Sequence, residues 1–110
     1  MSLRIALVMM QKNERLLLDY WLSYHQVITD PASIFVFDNG STDPQTLAIL
    51  RAAEESGISV SRDYSRQKDY YDRGIIFANF IKQQRTTIRL FEFTLARSHR
   101  AGKGALLMAE

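Results

Sequence analysis

Cysteine is absent from the 110 residues, which removes disulfides, zinc-thiolate sites and cysteine nucleophiles from consideration. That absence fits a reducing environment, and a cytoplasmic location is the expectation. The two histidines, His25 and His99, have no partner histidine or carboxylate at metal-ligand spacing, so no zinc site is expected. No apolar run approaches the roughly 20 residues of a bilayer span, and the start lacks the charged-then-apolar pattern of a secretory signal. Lysine and arginine outnumber aspartate and glutamate by only 14 to 12 and are scattered, so nucleic acid is not an expected partner. The Gly-x-Gly-x-x-Gly turn of dinucleotide oxidoreductases does not follow the first apolar run.

The two prolines and five glycines act as punctuation in a chain whose hydrophobic content, 46%, is sufficient for the core of one small domain. Residues from about Leu3 to Met10 form a near-continuous apolar run, the pattern of a parallel strand covered on both faces. A helix from about Glu14 to Ile28 must end before Pro31, with Asn13 as its expected cap. Trp21, Tyr20 and Tyr24 are expected in its packed face. Ile34 to Phe37 read as a second buried strand, followed by a helix capped by Thr42 or Asp43, with Pro44 at its first position and Gly57 at its end.

Ile58 to Ser61 read as a third short strand, and Tyr64 to about Arg85 as one long helix with Tyr71, Ile75, Ala78, Phe80 and Ile81 inward. Gly74 inside that helix predicts a close packing contact, because it weakens the helix by about 1 kcal/mol relative to alanine. Ile88 to Leu95 alternates as a strand, and the basic, glycine-spaced end beyond it is expected to be loosely packed. The expected fold class is α/β, a Rossmann-like three-layer αβα arrangement with a mostly parallel sheet and right-handed crossovers.

The chemistry-bearing feature is Asp38-Asn39-Gly40-Ser41-Thr42-Asp43, where a buried strand ends on a carboxylate. Acids at the carboxyl ends of parallel strands face the crevice in which open α/β sheets bind ligands. An Asx-type turn that only joins strand to helix is the competing explanation. Taken in order, Lys12-Asn13-Glu14, Trp21-Leu22-Ser23-Tyr24-His25 and Asp38 to Asp43 resemble the family 2 glycosyltransferases of the GT-A type. The resemblance covers roughly residues 1–85. It implies the nucleotide-sugar-binding half of a GT-A domain and inverting transfer from a nucleoside-diphosphate sugar, most commonly a UDP-sugar.

On that resemblance Asp38 meets the base or ribose, Asn13 and Glu14 border the same crevice, the Gly40 and Ser41 backbone approaches the ligand, and Lys68 meets diphosphate oxygens. A helix cap for Glu14, a flexible turn for Gly40 and Ser41, and a solvated helix end for Lys68 remain open beside those roles. The family holds a divalent cation, Mn²⁺ or Mg²⁺, on an Asp-x-Asp segment at the end of the next strand. Here the corresponding stretch is Leu90-Phe91-Glu92-Phe93, with one carboxylate, and the family's catalytic base has no counterpart, so no catalytic or metal residue is assigned. Residues 86–110 are accordingly expected to diverge from the family through truncation or a frame-shift. An incomplete sheet predicts self-association. The alternative function is a non-catalytic Rossmann-like module that binds a nucleotide or a protein.

Overall fold

A strand that is apolar on both sides must be covered on both sides, and the first strand, β1 (Ile5–Lys12), is the centre of the fold for that reason. The computed structural model describes residues 5–84, 90–97, 100–102 and 108–109. Leu7 and Met9 of β1 face one layer of helices, and Ala6, Val8 and Met10 face the other. The first layer contains α1 (Arg15–Ile28) and α2 (Pro44–Glu55), which contribute Leu18, Trp21, Leu22, Leu50 and Ala53. The opposite layer is supplied by α4 (Arg73–Gln84) through Ile76, Phe77 and Ile81, after the short α3 (Gln67–Tyr71).

The sheet order is β3-β2-β1-β4-β5, where β2 is Ile34–Asp38, β3 is Ser59–Ser61, β4 is Leu90–Arg97 and β5 is Arg100–Gly102. β1, β2, β3 and β4 are parallel, while β5 and β6 (Met108–Ala109) pair antiparallel with β4. The chain therefore steps outward from β1 to β3 beneath α1 and α2, then returns over the other face to lay β4 against the free side of β1. Placing the helices on opposite faces gives both directions of travel the same crossover hand. This is the expected three-layer α/β, Rossmann-like fold with a mostly parallel sheet.

The helices depart from the sequence reading in four places. The predicted helix 64–85 is two helices that meet at Asp72, whose amide closes the last turn of α3 on the Lys68 carbonyl and whose carbonyl accepts the Ile75 and Ile76 amides that begin α4. Each residue adds about 100° of helical phase, so this break rotates the inward stripe. Ile76, Phe77 and Ile81 are buried, Phe80 is half-buried, and Tyr71, Ile75 and Ala78 are exposed. Tyr20 and Tyr24 are likewise exposed on α1, where Trp21 alone of the three enters the core.

Gly74 makes no close contact: a Cβ built there meets nothing within 4 Å. Gly74→Ala should therefore stabilise the protein by about 0.5–1 kcal/mol, through helix propensity and a less flexible unfolded chain. A higher urea midpoint at unchanged slope would register the gain. The fourth departure is Asn13, which caps a different helix from the one it precedes. His99 and the residues from 103 to 107 in the expected loose tail lie outside the described residues, and among the latter β5 and β6 are strands.

Candidate functional site

Parallel strands place equivalent side chains side by side, and the ladder between β1 and β2 sets Gln11 opposite Asp38. Both continue the face on which Leu7, Met9, Ile34 and Val36 are buried, so two polar groups end two apolar strands in the same layer. Gln11 is fully buried and Asp38 is 3% exposed. Burial at this depth requires partners. The Gln11 Nε2 donates to Asp38 Oδ1 at 2.8 Å, while Gln11 Oε1 accepts the Glu14 amide at 3.1 Å. Asp38 Oδ1 also accepts the Ser41 hydroxyl, and Oδ2 accepts the Ser41 amide at 3.1 Å.

Asn13 extends the connection sideways. Its backbone is left-handed, at φ 55°, a conformation that asparagine tolerates better than most residues. Its Oδ1 accepts the Thr42 and Asp43 amides at 2.8 and 2.9 Å, and its own amide donates to Ser41 Oγ at 2.9 Å. Asn13 thus serves the amino end of α2, not α1. Glu14 occupies the N-cap position of α1 and makes no side-chain cap bond there.

A third loop is held from the other face of β2. Asn39 is 1% exposed, and its Nδ2 donates to the Tyr64 carbonyl at 2.7 Å and to the Arg66 carbonyl at 2.9 Å. Two carbonyls around one amide fix its orientation, because the flipped form would set oxygen against oxygen. Asn39 Oδ1 is consequently directed away from them, buried and without a hydrogen-bond partner among the described residues. Gly40 lies beside Ser65 at φ +86°, where a Cβ would come within 2.6 Å of the Ser65 carbonyl oxygen. The loops after β1, β2 and β3 are therefore joined into one rim at the carboxyl edge of the sheet.

Asn13, Glu14, Asp38, Gly40 and Ser41 come together at this rim. Lys68 does not join their hydrogen bonds: it is an exposed α3 residue whose ammonium meets Asp72 Oδ2 at 2.6 Å. Gln11 and Asn39 were absent from the candidate residues. Gln11 was legible as a polar residue continuing the inward face of Leu7 and Met9, once the strand is extended two residues beyond Met10.

Charge at the rim is distributed unevenly. Asp43 caps α2, accepting from the Thr46 hydroxyl at 2.8 Å and its amide at 2.9 Å, with the Arg15 guanidinium 3.9 Å away. The Thr46 bonds, assisted by Arg15, hold the Asp43 carboxyl below its usual value of 3.8. A carboxyl with a lowered folded-state pKa stabilises the protein above the unfolded value and loses that contribution as pH falls through the folded one. Asp43→Ala should therefore lower the urea midpoint at neutral pH, with the gap to wild type narrowing as pH drops below 3.8. Unfolding curves across that range check it.

Among the described residues, no three His, Asp or Glu side chains converge as ligands for a metal ion. Glu92, the carboxylate in the stretch compared with the family's metal segment, pairs in register with Leu7 in the middle of the strand. At the carboxyl end of β4 the register instead sets Arg97 beside Lys12. The chain reverses its direction of travel between β1 and β4, and the carboxyl side of such a reversal is where open α/β sheets take their ligands.

A groove of about 250 Å³ opens between β3 and α4, with Phe35, Phe37, Tyr64 and Phe80 among its lining residues. No helix of the described residues is long and apolar enough to cross a membrane. No family model, curated protein or solved structure matches this chain.

Proposed function

We propose that this chain is the donor-binding half of a family 2-like, GT-A-type glycosyltransferase and takes the nucleoside diphosphate of an activated sugar at the rim formed by the β1, β2 and β3 loops. The observation that carries the reading is the joined set Gln11, Asn13, Asp38, Asn39 and Ser41 at the carboxyl edge of a Rossmann-ordered sheet. The Lys-Asn-Glu and Asp-Asn-Gly-Ser-Thr-Asp segments that resemble the family supply these residues, apart from Gln11. A UDP-sugar is the donor favoured by that resemblance, and a cytoplasmic location goes with it.

The chemistry at the rim suits a base or ribose better than a phosphate. Asp38 Oδ2 accepts one bond where a carboxylate oxygen accommodates two, and Asn39 Oδ1 is a buried acceptor. Both call for donors, such as the imide N–H of uracil or a ribose hydroxyl. The α2 amino end is occupied internally by Asn13 and Asp43, so it offers no open anion site. Lys68 remains the cation proposed for the diphosphate, reached by exchanging Asp72 for phosphate oxygens. In this reading the chain binds and orients donor; it assigns no catalytic base, no metal ligand and no bond-breaking step to these residues.

Calorimetric titration with UDP, with and without Mn²⁺, tests the proposal. Binding should be indifferent to Mn²⁺ and should weaken by about tenfold or more in Asp38→Asn, the equivalent of one hydrogen bond to a charged group. Lys68→Ala should weaken UDP while leaving uridine unchanged. Absence of UDP binding by the folded chain would refute the proposal and favour a non-catalytic module.

A further inference from the structure

Helix α1 is apolar around far more of its circumference than the core uses. Leu18, Trp21 and Leu22 are buried against the sheet, yet Leu16, Tyr20, Tyr24, Val27 and Ile28 are all more than half exposed, up to 86% at Val27. At about 100° per residue these five occupy one arc of roughly 120°, adjoining the buried arc. Polar Asp19, Ser23 and Gln26, all exposed, border its far side. Tyr20 and Tyr24 stack within the patch, their rings 6.4 Å apart and 11° from parallel. Isolated exposed hydrophobics need no explanation, but a continuous apolar stripe along a whole helix marks an interaction surface.

We infer that this stripe is where two copies of the chain meet, α1 against α1 in antiparallel fashion. Leu16, Tyr20, Tyr24 and Ile28 form a single ridge at intervals of four residues. Ridges of that spacing from two helices interdigitate in the commonest helix-packing class. The ridge reads alike in both directions: an aliphatic residue at each end and two tyrosines between. A two-fold axis passing between Tyr20 and Tyr24 places Leu16 against Ile28 of the second copy and each Tyr20 against the other copy's Tyr24. Such self-complementarity is what an isologous interface requires.

The area is sufficient. Side chains of these sizes expose on the order of 600 Å² in each copy. A symmetric pair therefore covers about 1,200 Å², which reaches the range of specific stable interfaces. The apolar centre bordered by Asp19, Ser23 and Gln26 also matches the usual anatomy of such contacts. The stripe lies along the flank of α1, separate from the carboxyl-edge rim, so this inference does not rest on the nucleotide reading.

Sedimentation velocity of the full chain over a micromolar concentration series tests it, with Tyr20→Glu/Val27→Glu as the variant and far-UV circular dichroism as the control for folding. Both substituted side chains are largely in solvent, so the variant should keep the wild-type spectrum. The wild type should sediment as a concentration-dependent dimer, and the variant should weaken association by at least an order of magnitude. The single variant Val27→Glu should fall between them. A wild type that stays monomeric throughout, or a dimer that survives the double substitution and so joins through a sheet edge, would overturn the inference.

Discussion

Asp38→Ala is expected to destabilise the protein by about 3 kcal/mol, more than most substitutions of a polar residue. The carboxylate is almost wholly buried and is held by the Gln11 amide, the Ser41 hydroxyl and the Ser41 backbone N–H. Alanine leaves those donors facing a void, and each buried donor without an acceptor costs about 1–3 kcal/mol. Part of that loss is recovered because a desolvated charge has also been removed. The conservative change Asp38→Asn should cost less, about 1–2 kcal/mol, because an amide sets its own N–H against one of the surrounding donors in either orientation. Urea unfolding of the two variants gives the order, and equal costs would remove the carboxylate's role as the centre of the network.

Gly40→Ala carries the second large effect, also about 3 kcal/mol. A positive φ of +86° strains any residue with a Cβ by about 1–2 kcal/mol. The added methyl would then lie 2.6 Å from the Ser65 carbonyl oxygen. That carbonyl has little room to retreat, because the carbonyls on either side of it, those of Tyr64 and Arg66, are both tied to Asn39. Forcing a methyl into so fixed a site adds about 1–3 kcal/mol. Asn39→Ala offers a control: it frees the loop and should reduce the further penalty of Gly40→Ala in a double-mutant cycle.

The central sheet was legible because its signals are strong and local. Met9 and Met10 in a run with no polar face implied helices on both sides of β1, and Pro44 after Asp43 marked the start of α2 to the residue. The break at Asp72 was not legible. Tyr71, Ile75 and Ala78 form as good a helical stripe in sequence as Ile76, Phe77 and Ile81, and only packing against Ala6, Val8 and Phe37 chooses between them. The exposed tyrosines of α1 were misread for a related reason, since its apolar arc exceeds the face that the sheet can cover.

The rim was partly legible. Asp38, Gly40 and Ser41 declared themselves by residue type at a strand end, and Asn13 by its place after the first strand. What sequence order cannot display is the ladder register that sets Gln11 beside Asp38, or the reach of Asn39 across to the third loop. These are contacts between segments 27 residues apart, made only when parallel strands align. Lys68 shows the converse: a basic residue following the third strand is visible in sequence, but its pairing with Asp72, the residue that caps the carboxyl end of α3, depends on where that helix begins and ends.

Amide chemical-shift mapping of the isotope-labelled chain titrated with UDP is the decisive test of a nucleotide site at the rim, because it locates binding as well as detecting it. Saturable shifts are expected at residues 11–14, 38–43 and 64–68 alone, the three loops joined at the carboxyl edge. A well-dispersed spectrum that UDP leaves unchanged, or shifts centred on the β3–α4 groove at Ser59, Ser61 and Asn79, would contradict that placement.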